Sequence, residues 1–321
     1  MMKTAMIVLS DTGQPKGKPS VPLNDTRAIF QIYKTAGFDC KILYREDLES
    51  LSDLNEFDNL FVFYGDLINF GGKQSKNALK AIELINNFKH SVVIFDNDVL
   101  NPVNNKIRDD FERIERPVIY ASPDGVGGAE KGAIDLNVSD EIEINQSFVI
   151  GKNLSKLQDV SMLPQVDVVY GGRDRPAMRK RLREISNNHT MMVYSHIAKS
   201  MKDTPAKIFK SKANFNNAQL RVINSFGRYS LMLYEKKKNY FTSRVFEQLF
   251  SNSIVLFDKQ FKELSYFWND DNTFSSLEEL QELINQKWTI DRVQKQHEMA
   301  KSFDYDAQIK KEASELKRLL S

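Results

Sequence analysis

The chain has 321 residues, 41% of them hydrophobic and 27% charged, a balance that excludes collagen, low-complexity disorder and a membrane bundle; no run approaches the ~20 apolar residues a spanning helix needs. The length suits two domains of about 150 residues each. A net charge of +2 from 45 basic and 43 acidic residues does not by itself mark a nucleic-acid binder, and a lone Cys40 without a Cys/His cluster leaves no internal disulfide and no structural zinc, so a reducing cytoplasm is the expected compartment.

The apolar part of Met1–Asp11 is too short for a signal segment and reads as a strand over Thr4–Leu9. A helix is predicted over Thr26–Ala36, strands over Asp39–Tyr44 and Asn59–Tyr64, a helix over Lys76–Asn86 and a strand over Ser91–Phe95. Val118–Ala121 and Phe148–Ile150 are expected to extend the same sheet, with Ser122–Gly132 a loop by composition. Strands that alternate with helices need crossover connections, which predicts a parallel, doubly wound sheet.

A second alternation starts with the strand Val166–Tyr170 and an Arg/Lys-rich helix from Pro176 to about Ile185. Strands follow at Thr190–Tyr194, Leu220–Ile223 and Ser230–Tyr234, then a helix over Thr242–Phe250 and a strand over Ser253–Phe257. Leu277–Gln286 and Asp291–Leu320 read as charged helices whose apolar positions are too sparse for a coiled-coil seam. The boundary is placed between Asn153 and Gln165, giving domains 1–158 and 159–321 with a cleft between them and the terminal helices packing back on the first domain.

Ligands of open α/β sheets bind at the carboxyl ends of strands, so the loops there hold the candidates. Ser10–Asp25 carries Lys16 and Lys18 but neither a dinucleotide fingerprint nor a phosphate loop, and its Asp25 is equally a helix cap. Asp66–Lys73 combines Asn69, Phe70, Gly71, Gly72 and Lys73, a contact loop or a plain turn before the helix at Lys76. Phe95-Asp96-Asn97-Asp98 places two carboxylates after a buried strand, where desolvation suits a general base; its Asp-x-Asp spacing also resembles the metal motif of one class of sugar-nucleotide transferases, and a plain strand-end turn is the alternative.

The strongest candidate is Tyr170-Gly171-Gly172-Arg173-Asp174-Arg175-Pro176-Ala177-Met178-Arg179. Glycines that open onto a helix N-terminus suit an anion, and Arg175 and Arg179 share a helix face, so a diphosphate fits, with a surface ion-pair face as the alternative. In Asn239–Glu247, Arg244 and Glu247 are three apart at a helix start. Arginine neutralises phosphate and a carboxylate accepts two hydrogen bonds from a ribose diol; the pair is otherwise an intrahelical ion pair.

These segments resemble the DNA β-glucosyltransferases of T-even bacteriophages. The resemblance is carried in order by Val21-Pro22-x-x-Asp25-Thr26, Ile68-Asn69-Phe70-Gly71-Gly72-Lys73, Arg116-Pro117, Val166–Gly172 with Arg175 and Arg179, and Asn239-x-Phe241-x-x-Arg244-Val245-x-Glu247. It implies a GT-B fold, two Rossmann-like domains, with the donor nucleotide held by the second. By position, Arg175, Arg179 and Arg244 would hold the diphosphate beside Gly171, Gly172 and Arg173, Glu247 the ribose, and Lys212-Ala213 the uracil through backbone. Asp25 matches a family glutamate near the sugar. Anchoring on Pro102 makes Asp98 the catalytic base, whereas anchoring on Phe95 puts Asn97 there with Asp96 beside it; Asp98 is preferred.

The implied activity is inverting transfer from a UDP-sugar to flipped 5-hydroxymethylcytosine, or a related hydroxylated cytosine, in duplex DNA, by a monomer in the infected host's cytoplasm. Lys16, Lys18, Asn69, Phe70, Gly71, Gly72, Lys73, Lys76 and Arg116 would grip the DNA, and Mg²⁺ or Mn²⁺ would act as an auxiliary without a dedicated metal cage. Arg173 replaces a small hydroxyl residue and the glycine loop is one aromatic shorter, so the donor stays open between UDP-glucose and a pentose donor such as UDP-arabinose. A glycan, lipid or protein acceptor and a catalytically degenerate DNA-binding relative are the competing readings.

Overall fold

The computed structural model describes residues 1–8, 21–44, 48, 50–63, 76–95, 113–123, 136–172, 175–209, 215–233 and 242–321. The chain divides into two compact units, Met1–Val149 with Tyr305–Ser321, and Ile150–Asp304. Among the described residues no helix is long and apolar enough to cross a membrane.

The first unit runs β1 (Lys3–Val8), α1 (Val21–Thr35), β2 (Asp39–Tyr44), β3 (Asn59–Phe63), α2 (Lys76–Asn87), β4 (Ser91–Phe95), β5 (Val118–Ser122) and β6 (Val138–Glu143). Its six strands are parallel in the order β2–β1–β3–β4–β5–β6. Ala5, Ile7, Leu60, Val62, Val92 and Ile94 share one core with Ala81, Leu84 and Ile85 of α2. On the alternate positions Phe61 meets Tyr33 of α1 edge-on at 5.4 Å and Phe95 at 6.0 Å. Burial on both faces is why these strands read as continuous apolar runs.

Besides α1, which begins at Val21 inside the loop expected over Ser10–Asp25, two details differ from the sequence reading. Val138–Glu143 is a strand that its Ser-Asp-Glu composition concealed; it is an edge, and its charges keep that edge from pairing further. Phe148–Ile150 belongs to a helix, α3 (Ser147–Leu154), because Asn145 Oδ1 accepts from Ser147 N at 3.0 Å and starts a turn where the β-branched run favoured a strand.

The second unit contains β7 (Val166–Gly171), α4 (Pro176–Asn188), β8 (Met191–Tyr194), β9 (Lys207–Ile208), α5 (Asn217–Asn224), β10 (Gly227–Met232), α6 (Ser243–Leu249), β11 (Ile254–Asp258), β12 (Thr273–Phe274), α7 (Leu277–Asn285) and α8 (Ile290–Ser302). All six strands are parallel in the order β9–β8–β7–β10–β11–β12, the dinucleotide-fold order. Met178, Leu182 and Ile185 of α4 pack on Val168, Tyr170, Tyr229 and Leu231, while Ile223 of α5 packs on Val169, Met192 and Tyr194. The strand predicted at Leu220–Ile223 is therefore helix. A capping box, in which Asn216 and Gln219 bond each other's backbone, overrides the β propensity of Val222 and Ile223.

The expected linker 153–165 lies within the second unit and is tied to it: Arg221 donates to Gln158 O at 2.8 Å, Asn252 Nδ2 donates to Met162 O, and Asp159 pairs with His297 at 3.4 Å. The last helix, α9 (Tyr305–Leu320), belongs to the first unit, where it packs against α1 and β6. Its Glu312 is 6% exposed and accepts from Asn145 N at 3.1 Å, while Oε2 has no partner among the described residues. Burial and the charge of Glu143 push its carboxyl up to about 9, against the Asn145 bond and Lys311.

Because this folded value exceeds the ordinary one, Glu312 favours the fold at low pH and that contribution is lost as pH rises toward 9. Glu312→Gln is accordingly expected to stabilise the protein by on the order of 1–2 kcal/mol at pH 8 and to converge with wild type near pH 4–5. Urea unfolding across that range measures it; parallel curves would refute a buried neutral carboxyl.

Candidate functional site

In the second unit the strand order reverses between β7 and β10, and a crevice at such a point is where open α/β sheets bind ligands. The chain leaving β7 enters α4 and the chain leaving β10 enters α6. These are the segments that carry Gly171, Gly172, Arg175 and Arg179, and Arg244 and Glu247, so topology unites two motifs about 70 residues apart.

The contact is direct. A Cβ built on Gly172 would lie 3.2 Å from Arg244 Nη1 and 2.9 Å from Tyr170 Oη, so the guanidinium lies over the glycine backbone. Gly171 is opposite Tyr194 in the β7–β8 register, and a Cβ there would fall 1.9 Å from Tyr194 Cζ. The two glycines thus have different reasons: the first makes room for a core tyrosine, the second for an arginine. After β8 the chain passes through Ser195 at φ 63° and ψ −152°, a region that favours glycine, and then Ile197 N donates to Gly172 O at 3.0 Å.

Arg175 is the N-cap of α4, in extended conformation, with Pro176 in the first turn and no acidic residue there. The helix dipole is therefore left positive toward the strand end. Arg179, one turn on, donates its backbone N–H to Arg175 O at 2.9 Å, and both arginines are half-buried. The rest of the basic cluster divides: Arg181 pairs with the buried Asp258 at 3.0 Å and Arg183 Nη2 reaches Ser200 O at 3.4 Å, which gives both a structural role.

Glu247 is 3% exposed. Burial pushes its carboxyl up to about 7, opposed by Asn217, Arg244 and Ser243. Asn217 Nδ2, from the first turn of α5, donates to its Oε1 at 2.6 Å. Asn217 was missed by the sequence reading, since its partner lies 30 residues away; the Asn216-Asn217-Ala218-Gln219 helix start was the available signal. Tyr194 is driven up by burial and by the Glu247 charge against the pull of Arg244, and its hydroxyl meets Asn224 Oδ1 at 3.2 Å. Gly172, Arg244, Tyr194 and Glu247 thus form one electrostatic group.

In the first unit the order reverses between β1 and β3. Residues 9–20 follow β1, 64–75 follow β3 and 96–112 follow β4. Lys16, Lys18, Asn69, Phe70, Gly71, Gly72, Lys73, Asp96 and Asp98, together with Arg173, Lys212 and Ala213, lie outside the described residues. Asp25 falls within the first turns of α1, past the cap position offered for it, because the helix already starts at Val21, and Lys76 is the first residue of α2. Arg116 donates to Phe88 O, to His90 O at 2.5 Å and to Ile85 O at 3.4 Å. It caps the C-terminal end of α2, a site where cations are favoured, and is left out of the DNA contacts proposed below. Among the described residues no group of three or more His, Cys, Asp or Glu side chains converges to hold a metal ion.

No protein-family model and no curated protein matches the chain. Solved structures do. T4 phage BGT in complex with UDP and Mn²⁺ superposes with a TM-score of 0.75 over 100% of both chains at 19% identity. A mutant of the same phage enzyme with UDP-glucose gives 0.74 over 99% of each chain at 18% identity. The DNA-modifying enzyme β-glucosyltransferase, solved with and without uridine diphosphoglucose, gives 0.73 over 99% of each at 17% identity. Likeness of this degree over the whole length, with two parallel six-stranded sheets flanked by helices, shows that the chain has the two-domain GT-B fold of these glucosyltransferase structures.

Proposed function

We propose that the chain is a UDP-sugar-dependent transferase that glycosylates hydroxymethylated cytosine in duplex DNA. The observation that carries the reading is the meeting of Gly172 and Arg244 beside the buried Glu247 at the β7/β10 reversal, in a fold whose solved examples bind UDP and UDP-glucose. Arg175, Arg179 and Arg244, with the positive end of the α4 dipole, neutralise the diphosphate. Glu247 accepts from the ribose hydroxyls, and the backbone at Lys212-Ala213 reads the base.

The acceptor hydroxyl lies within a base stack, so its nucleotide is flipped out. Lys16, Lys18, Lys73 and Lys76 meet phosphates without reading sequence, while Phe70 or Asn69 fills the gap. Asp98, or Asp96 in its stead, takes the hydroxyl proton as the oxygen attacks the anomeric carbon; Asp25 lies by the sugar. The bond from that carbon to the diphosphate breaks in the same displacement, inverting the centre and releasing UDP with its charge on the arginines. Mn²⁺ accompanies UDP in one phage structure. In this chain a divalent cation is an auxiliary, and no step above requires it.

The test is mass spectrometry of nucleosides from hydroxymethylcytosine duplex DNA incubated with the protein and a panel of UDP-hexoses and UDP-pentoses. A sugar mass on modified DNA alone is the expected result and identifies the donor. UDP binding without any adduct would assign the fold to a glycan, lipid or protein acceptor, and DNA retention without UDP binding to a degenerate relative. Asp98→Ala and Asp96→Ala, assayed separately, assign the base.

A further inference from the structure

The Glu247 carboxylate has four lone-pair directions. Two are occupied by the protein: Asn217 Nδ2 donates to Oε1 at 2.6 Å, and the Ser243 side chain also hydrogen-bonds the group. A ribose 2′,3′-diol requires two acceptor positions, within the capacity of a carboxylate that also accepts these bonds. The Asn217 bond is short and comes from a second helix, so it fixes rotation of the carboxylate where Ser243, four residues earlier on the same helix, cannot do so alone.

Asn217 is held in turn. The Asn216/Gln219 capping box locks the first turn of α5, and Ile223 anchors the helix on the sheet. Lys212-Ala213 comes just before this turn. The segment assigned to the base thus precedes, in sequence, the residue that holds the group assigned to the ribose.

We infer that Asn217 is the positioning residue for ribose recognition: it orients Glu247 and keeps it an acceptor, so that the site selects ribonucleotide over deoxyribonucleotide donors. This rests on the donor-site reading above. Glu247 also faces Arg244 from its own helix and Tyr194 from β8. From α8, Gln296 and His297 meet the carbonyls of Leu249 and Ser251 at the far end of α6.

The test is calorimetric titration of UDP and 2′-deoxy-UDP on wild type, Asn217→Ala and the isosteric Asn217→Asp between pH 6 and pH 9. Wild type should bind UDP more weakly as pH falls through about 7, as Glu247 takes up a proton. Loss of the donor should move that midpoint upward and lower UDP affinity at pH 7 about tenfold, with partial recovery at pH 9. The preference for UDP over the deoxy compound should shrink as well, and more so in Asn217→Asp, which sets a second acceptor against the first. Equal losses for both nucleotides with an unmoved midpoint would make Asn217 merely structural and overturn the inference. Absence of UDP binding by wild type, or unchanged binding by Glu247→Gln, would instead overturn the donor-site reading.

Discussion

Replacing Arg244 with alanine is expected to lower kcat/KM for sugar transfer by about 10²–10³-fold, with much of the loss in kcat. The negative charge on the leaving diphosphate grows through the reaction, so a guanidinium held in place over Gly172 stabilises the transition state more than the bound donor. Its position is built by α6, whose next residues Val245 and Phe246 are fully buried. Removal has a second effect, because Arg244 also favours ionisation of Glu247. The variant should therefore show a higher midpoint for the pH dependence of UDP binding than wild type. Arg244→Lys keeps the charge and loses the planar fork, so it should recover the midpoint while recovering only part of the rate. Steady-state kinetics with matched UDP titrations separate these outcomes; an unaltered rate in Arg244→Ala would remove this arginine from the diphosphate site.

The second large effect concerns stability. Gly171→Ala would put a methyl group inside the ring of Tyr194, 1.9 Å from Cζ and 2.4 Å from Cε1. The ring is 3% exposed and its hydroxyl meets Asn224, so it cannot retreat without breaking that bond and disturbing the β7–β8 pairing. The expected cost is about 3 kcal/mol or more, at the upper end of overpacking, read as a lower urea midpoint. Gly172→Ala differs. Its nearest atoms, Tyr170 Oη at 2.9 Å and Arg244 Nη1 at 3.2 Å, are ends of side chains. It should leave the midpoint within about 1 kcal/mol of wild type and weaken UDP binding, since it displaces Arg244. Equal destabilisation by the two would mean that the Gly-Gly pair serves packing alone.

Much of the fold was readable because both sheets are parallel and their central strands are buried on both faces. Ser91–Phe95 is a short apolar run after a helix and Asp39–Tyr44 an edge strand with exposed Asp39 and Lys41, and the bounds of both agree with the observed strands. The failures fell where a polar side chain outbids a local propensity, with Asn145 opening α3 and the Asn216/Gln219 box opening α5. Val138–Glu143 failed for the opposite reason, as an edge strand whose charged residues are its adaptation to the edge. In the site, Arg175 with Arg179 and Arg244 with Glu247 stood out as helix-spaced pairs after strands, a local pattern. Asn217 and Tyr194 were illegible, because each matters through a partner 23 or more residues away, Gly171 for the tyrosine and Glu247 for the asparagine. The division at Val149 was also hidden, since α3 runs on past it without a turn-rich linker.

The assignment of α9 to the first unit has a consequence for biosynthesis. Residues 150–304 are contiguous and can fold as soon as they leave the ribosome, whereas the first unit stays incomplete until residues 305–320 emerge. Until then the nascent N-terminal unit lacks the apolar face formed by Tyr305, Ile309, Ala313, Leu316 and Leu320. The unit translated first is thus the one finished last, and a premature stop after residue 304 would leave it half-built in a chain whose other unit is complete.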